Sequence, residues 1–390
     1  MKVLVLGGCG IQGKTAVYDL ARAASVEAVI CADVNLEAIG DIAGFTDMAK
    51  VRTVFLDAND NDSLDRLFRQ ADVAVDLLPR QFVEPVCQAA IRCGVSVVNT
   101  NYAYPIAQLH DRAKAAGVAI LPECGLDPGI DLVLYGEARR RFDELTVIQS
   151  YCGGFPERSA CDNPLNYKVS WVFEGVLAST KRDSKMIRGG VVVEIPGSRQ
   201  HDPAFVHEVD FAGLGTLEAI PNGDAVFFTD ALGVTGTIRE TGRYSLRWPG
   251  WSAFWRPLKQ LGFLSETPLP GLDGQISPYQ MIDKLLGPQL QYQPHEKDLV
   301  AMLNQFEGRK DGRPVRLTSR LLMERNLETG FMAMAQGVGY PASIAAQMIA
   351  KGEIPEKGVL SPMKHIPYGA FIEALRTRGI IIEEEETTLP

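Results

Sequence analysis

Near the N-terminus, Gly8, Cys9, Gly10, Ile11, Gln12 and Gly13 set three glycines at GxGxxG spacing, directly after the apolar run KVLVLG and at the start of a helix-forming stretch. In such a turn the first glycine allows the tight bend and the second lets the backbone approach a pyrophosphate. The third lets helix and strand pack closely, and the helix N-terminus receives the phosphates. Asp33 closes the next apolar run, twenty residues past Gly13. A carboxylate there accepts hydrogen bonds from both ribose hydroxyls and repels a 2′-phosphate. No arginine follows closely in CADVNLEAIG, so the spacing predicts NAD in preference to NADP. Asp57, after VRTVFL, and Leu78 and Pro79 in the turn DLLP stand where the adenine and nicotinamide sides are commonly lined. As ordinary strand ends they need no ligand at all.

Two further segments carry groups suited to proton transfer. NTNYAYP (99–105) and PECGLDPGID (122–131) each end a strand on the edge where a nicotinamide is expected. Asp127 precedes a proline, which disfavours helical backbone, and Gly129 permits an unusual turn. Asp127 is therefore either the N-cap of a helix from Ile130 onward or a carboxylate aimed at substrate. SYCGGFPERSACDNPLNYK (150–168) places two glycines after Cys152 and reads as a surface hairpin or as the floor of a reaction site. The seven cysteines form no CxxC pair and the five histidines no HxxxH pair. Neither a disulfide framework nor a metal site is expected.

The elements that must position these groups fall into two textures. Over 1–126, short β-rich runs alternate with helical stretches, which predicts βαβ units and a doubly wound, Rossmann-type parallel sheet with its ligand at the carboxyl ends of the strands. After Pro128 the runs lengthen and lose regularity, as in GGVVVEI and DAVFFTDAL, both read as β-rich. A second α/β domain with a mainly antiparallel sheet is expected over 127–334. The helical, small-residue-rich FMAMAQGVGYPASIAAQMIAKG then starts a return, over about 335–390, that completes the first domain. RWPGWSAFWRPLKQLGFL predicts a helix from near Pro249 with Trp251, Phe254, Trp255, Leu258 and Leu261 on one face, for the core or a homodimer interface.

The chain has 390 residues, and 39 basic against 48 acidic side chains give a formal charge of −9. That balance argues against nucleic acid or an anionic membrane as partner. No long apolar span and no basic leader is evident, so a cytoplasmic protein is expected.

GLDPGID, SYCGGFP with DNPLNYKVSW, and VGYPASIAA together resemble the glutamate-forming saccharopine dehydrogenase (saccharopine reductase) family, whose architecture the lysine 6-dehydrogenases share. The resemblance runs nearly end to end. It implies hydride transfer between a nicotinamide and a C–N bond of a lysine-derived amino acid. By that match Asp127, Tyr102 and Cys152 are expected beside the reacting carbon. Oxidation of an amine to an imine needs a neutral amine, and a nearby carboxylate can shuttle the protons and stabilise the iminium.

Two positions depart from the fungal reductases, in which arginines stand where this chain has Gly223 and Glu174. A glutamate repels a carboxylate and welcomes an amine, so free L-lysine is placed narrowly ahead of saccharopine as substrate. Asn163, Lys168, Arg243 and Arg247 remain available to a small amino-acid substrate, each also readable as a loop or sheet-surface side chain. A non-catalytic NAD-binding regulator and an enzyme for another amine or opine, such as a carboxyalkyl polyamine, are the other readings.

Overall fold

The computed structural model describes residues 1–270 and 276–390. The chain forms two compact units, one of Met1–Glu137 with Met334–Ile381 and one of Ala138–Ala333 with Ile382–Pro390. In chain order the strands are β1 (Lys2–Leu6), β2 (Ala28–Asp33), β3 (Val51–Phe55), β4 (Val73–Asp76), β5 (Ser96–Asn99), β6 (Ala119–Leu121), β7 (Glu144–Pro156), β8 (Ser184–Arg188), β9 (Val191–Ile195), β10 (His207–Phe211), β11 (Gly215–Pro221), β12 (Glu240–Arg247), β13 (Asp298–Lys310), β14 (Arg313–Glu324), β15 (Gly358–Val359) and β16 (Ile382–Thr388).

In the first unit seven strands pair in the order β15-β6-β5-β4-β1-β2-β3, all in parallel. The order reverses between β4 and β1, the crevice where a doubly wound sheet takes its ligand. β1 and β4 are almost wholly apolar and buried, as strands covered on both faces must be. The helix Asn61–Phe68 starts where the Asp60 carboxylate accepts hydrogen bonds from the amides of Asp62 and Ser63. The helix Val83–Cys93 stops at Gly94, whose φ of 69° continues no helix.

The second unit holds nine strands, in the order β10-β11-β12-β7-β13-β14-β16, with β8 and β9 attached through β12. All pairs are antiparallel except β7 with β12. Alternation along β7 separates its faces: Tyr151 and Phe155 enter a large apolar core with Tyr244 and Leu246, while Ser150 and Cys152 lie on the opposite face.

Four expectations change. DAVFFTDAL is a helix, Ala225–Leu232, because Asp224 caps its Phe227 amide at 2.9 Å and Gly233 ends it in left-handed backbone. The C-terminal return does not run to residue 390, since β16 pairs with β14 of the second sheet. The division between the units falls after Glu137, inside the helix Ile130–Arg141, rather than at 126/127. The tryptophan-rich helix spans Trp251–Gln260 with Trp251 and Trp255 buried, whereas Leu261 is 73% exposed and outside the packed face.

Candidate functional site

The glycine turn is built as its spacing predicts. The Gly7 amide donates to Ala32 O at 2.9 Å, Gly10 closes onto Gly7 O at 3.1 Å, and the helix Ile11–Arg22 follows. A Cβ on Gly13 would lie 2.0 Å from Gly7 O, so only glycine lets this helix meet the turn. No acid occupies the first helical turn, which leaves Ile11, Gln12 and the bare N-terminus favourable to an anion. Asp33 stands at the end of β2 with one oxygen accepting from the Cys9 amide and the other from the Asn35 amide, each at 3.0 Å. The acid is thus fastened to the glycine turn itself.

The DLLP turn lies against this loop: a Cβ on Gly7, whose φ is 72°, would come within 2.9 Å of Leu77 O. The Leu78 amide donates to Asp76 Oδ1 at 3.0 Å, and Pro79 precedes a short 3-10 turn. Asp57 uses its carboxylate within its own loop, accepting from the amide and side chain of Asn59.

At the carboxyl edge of the same sheet, the loops after β5 and β6 are stitched together. Glu123 N donates to Asn101 O at 2.9 Å, Cys124 N to Asn99 O at 3.0 Å, and Ala103 N to the Glu123 carboxylate at 3.0 Å. The segment carrying Tyr102, whose ring stacks on Tyr104, is thereby held to the segment that carries Asp127. The Asp127–Pro128 peptide is cis, and Gly125 N donates to Pro128 O at 3.1 Å. The helix opens at Ile130, so Gly129 rather than Asp127 immediately precedes it. The cap-like bond here is made by Asp131, which accepts from Gly129 N at 2.8 Å.

Two acids that sequence reasoning passed over are buried at this edge. Burial pushes Asp131 up to about 8, with Glu123 raising it further, and pushes Asp76 up to about 7. Nothing in their spacing marks them, because only the fold supplies the burial.

In the second unit Cys152 occupies the middle of β7, in register with Ser245 of β12 and Met302 of β13, so it ends no strand and sits in no hairpin turn. The glycine after it leaves no room for a ligand: a Cβ on Gly153 would fall 2.1 Å from Leu246 O of the neighbouring strand. Asn163 organises its own loop, with Oδ1 accepting from Leu165 N and Tyr167 N and Nδ2 donating to Tyr167 O. The Lys168 ammonium is buried between Glu296, at 2.7 Å, and Asp162, at 2.9 Å. Both side chains hold the loop that carries them. Glu174 is exposed in the first turn of the helix Phe173–Ser179, with its carbonyl accepting from the Tyr279 hydroxyl.

Gly223 takes a φ of 83°, and the amide of Asn222 beside it donates to Arg243 O at 2.8 Å. The buried Arg243 guanidinium lies 4.5 Å from the centre of the Phe228 ring. Arg243 and Arg247 alternate with Tyr244 and Leu246, so both belong to the face that carries Cys152. Arg247 is 7% exposed and lies 5.3 Å and 5.0 Å from the ring centres of Tyr167 and Trp251. The structure therefore groups Arg243, Arg247 and Cys152 on one sheet face of the second unit. It groups Tyr102 and Asp127 with the glycine turn at one sheet edge of the first. No cluster of three or more metal-ligating side chains occurs among the described residues.

Comparison with known proteins identifies the family. Residues 3–121 match the family described as saccharopine dehydrogenase NADP binding domain, and residues 125–380 match the saccharopine dehydrogenase C-terminal domain. Saccharopine dehydrogenase (NADP(+), L-glutamate-forming) of Schizosaccharomyces pombe is 27% identical over 401 residues, 86% of this chain and 88% of that protein. The mitochondrial alpha-aminoadipic semialdehyde synthase of Rattus norvegicus is 27% identical over 99% of this chain but 48% of its own length. The chain thus spans about half the length of the animal relatives it matches. The apo structure of L-Glu-forming saccharopine dehydrogenase from Saccharomyces cerevisiae superposes with a TM-score of 0.86 at 23% identity, covering 99% of both chains, and shows the same fold. The chain belongs to the saccharopine dehydrogenase family.

Proposed function

We propose that this chain is a nicotinamide-dependent oxidoreductase that moves a hydride between the cofactor and a C–N bond of a lysine-derived amino acid, with saccharopine as the amino acid. In the oxidative direction the secondary amine loses a hydride to the nicotinamide and a proton to a base. Water adds to the imine, and the carbinolamine breaks to glutamate and an aldehyde. The observation that carries the reading is the joined edge in the first unit. There the glycine turn fastened to Asp33 shares a sheet edge with the interlocked Tyr102 and Asp127 loops. Asp127 takes the role of proton carrier and Tyr102 that of a hydrogen-bonding partner to the nitrogen. No covalent bond to Cys152 is required, since hydride transfer needs none.

This reverses the order of substrates reached from sequence. Free lysine was favoured because Glu174 was expected to face the substrate, but its side chain points to solvent. The fungal relatives are named as L-glutamate-forming saccharopine dehydrogenases. A lysine 6-dehydrogenase and a cofactor-binding regulator are the remaining readings.

Their names and that of the matched domain carry NADP, whereas Asp33 favours NAD. We assign NAD preference on the local chemistry: the carboxylate beside the turn meets a ribose diol well and a 2′-phosphate badly. A cytoplasmic homodimer completes the proposal, and no described helix is long and apolar enough to cross a membrane.

The test is to incubate the pure protein with NAD or NADP and with saccharopine, L-lysine or a carboxyalkyl polyamine in turn. Reduced cofactor and glutamate from saccharopine are expected. Reduced cofactor from L-lysine alone restores the lysine 6-dehydrogenase reading, and tight NADH binding without turnover on any amine promotes the regulator.

A further inference from the structure

Cys9 and Cys31 are buried with their sulfur atoms 3.6 Å apart, each the hydrogen-bond partner of the other. They come from the two pieces that the candidate cofactor site joins. Cys9 is the middle residue of the first Gly-x-Gly, and Cys31 lies in β2, two residues before Asp33. Residues two apart on a strand share a face, so the thiol and the acid are on the same side of β2. The glycine turn meets that side at two points. Cys9 N donates to the Asp33 carboxylate at 3.0 Å, and a Cβ on Gly8 would lie 2.6 Å from the Cys31 sulfur.

A disulfide holds its sulfurs at about 2.05 Å, so closing this pair from 3.6 Å takes a shift of roughly 1.5 Å. The two backbones differ in what they can give. Cys31 is paired with Val5 of β1 on one side and Thr53 of β3 on the other, whereas Cys9 stands in a loop between two glycines. The turn therefore yields, and it has no slack. Gly10 N is already bonded to Gly7 O at 3.1 Å, and a Cβ on Gly13 would fall 2.0 Å from that same oxygen. A pull on Cys9 is passed to the glycine backbone that approaches a pyrophosphate. The two thiols also differ in chemistry. Burial raises both, and the hydrogen bond between them lowers Cys9 while raising Cys31, so Cys9 is the first to lose its proton.

We propose that Cys9 and Cys31 form a redox-responsive modification site, in which a small hydroperoxide converts the pair to a disulfide that weakens dinucleotide binding. The Cys9 sulfur attacks the peroxide O–O bond, giving a sulfenic acid and one water. The Cys31 sulfur then attacks the sulfenic sulfur, which forms the S–S bond and releases the hydroxyl with the Cys31 proton as a second water. The two thiols lose two electrons and two protons, and hydrogen peroxide is reduced to two waters. A dithiol reductant restores the pair by exchange. Because coupling between two sites is reciprocal, bound dinucleotide opposes the oxidation as the disulfide opposes the dinucleotide. The gate rests on the nicotinamide cofactor proposed above; the oxidation of the thiols does not.

The experiment uses the full chain, first fully reduced, with hydrogen peroxide as probe. Treatment is run with and without saturating NAD or NADP and stopped by alkylation, and peptide mapping by mass spectrometry locates any crosslink. Calorimetry measures the Kd of each dinucleotide before treatment, after it, and after dithiothreitol. A Cys9–Cys31 crosslink is expected, in lower yield when dinucleotide is bound. The Kd should rise by at least about 5-fold, the lower end of coupling between two sites, and return with dithiothreitol. In Cys31→Ala the Kd should be the same before and after peroxide. If that variant does not fold, Cys9→Ala takes its place, and the mapping of the wild type stands by itself. Absence of the crosslink, a crosslink that leaves the Kd unchanged, or an equal loss of affinity in Cys31→Ala overturns the proposal. Dinucleotide binding without the crosslink leaves the cofactor reading intact. A crosslink in a chain that binds neither dinucleotide when reduced confirms the oxidation site and overturns the gate together with that reading.

Discussion

The Asp33 carboxylate accepts a hydrogen bond from the Cys9 amide at 3.0 Å, which ties the end of β2 to the middle residue of the first Gly-x-Gly. The acid proposed to read the ribose and the turn proposed to hold the pyrophosphate are thus fastened to one another. Replacing Asp33 with serine should remove the repulsion toward a 2′-phosphate and one charge-assisted bond to the ribose. The ratio of kcat/KM for NAD over NADP is then expected to fall by roughly 10- to 100-fold. An unchanged ratio separates Asp33 from cofactor choice.

Asp127 and Cys152 are expected to differ as a proton carrier differs from a packing group. Asp127→Asn should lower kcat by at least about 100-fold, the lower end of what a positioned acid or base contributes. Cys152→Ser keeps the size of the side chain in the middle of β7 and should cost less than about 10-fold. Steady-state rates at saturating substrate decide the order, and a greater loss at Cys152 makes the thiol the principal group.

Lys168 and Glu296 form a buried pair, with the lysine side chain 2% exposed and the glutamate 11%. Glu296→Gln leaves the ammonium with Asp162 alone, whose side chain is 61% exposed. Removal of one partner from such a pair is expected to cost about 3 kcal/mol in denaturant unfolding. The double variant Lys168→Met, Glu296→Gln should recover much of that loss, which a lysine acting only on substrate cannot explain.

What the sequence revealed and what it hid divide along the range of the interactions. The glycine turn, Asp33 and the parallel sheet were legible because each depends on residues within one βαβ unit. The apolar run around Phe227 and Phe228 looked like a strand, and only the flanking Asp224 and Gly233, a cap and a stop, marked it as a helix. The segment of Cys152, with two glycines after it, reads from sequence as a surface hairpin or the floor of a reaction site. Gly153 is instead required by Leu246, more than ninety residues on, across a strand pair that no local pattern announces.

Gly153→Ala gives that strand pair a direct test. The added methyl would sit 2.1 Å from Leu246 O, and a backbone oxygen inside a sheet cannot turn aside as a side chain can. Overpacking commonly costs about 1–3 kcal/mol, and the backbone contact puts this variant at or beyond the upper end. Soluble yield and urea midpoint report it. Gly236→Ala is the control, since a Cβ there meets nothing within 4 Å.

Asp131 sets a pH dependence of stability whose sign follows from its burial. Its carboxyl is pushed up to about 8 in the folded chain from an ordinary value near 4, because burial penalises the charged form. Between those values the folded state holds a proton that the unfolded state has released. Stability is therefore fully present below the unfolded pKa and falls as pH rises toward about 8, where the loss levels off. Asp76, pushed up to about 7, adds a contribution of the same sign that ends lower. Asp131→Asn keeps an oxygen that can accept from Gly129 N but cannot ionise. Urea midpoints at pH 5.5 and pH 8 should differ less in this variant than in the wild type. Asp76→Asn should flatten only the lower part of the same interval. An equal slope in wild type and Asp131→Asn would mean that the buried acid is already ionised at pH 5.5, and that the chain compensates its charge in the loop joining β6 to the helix Ile130–Arg141.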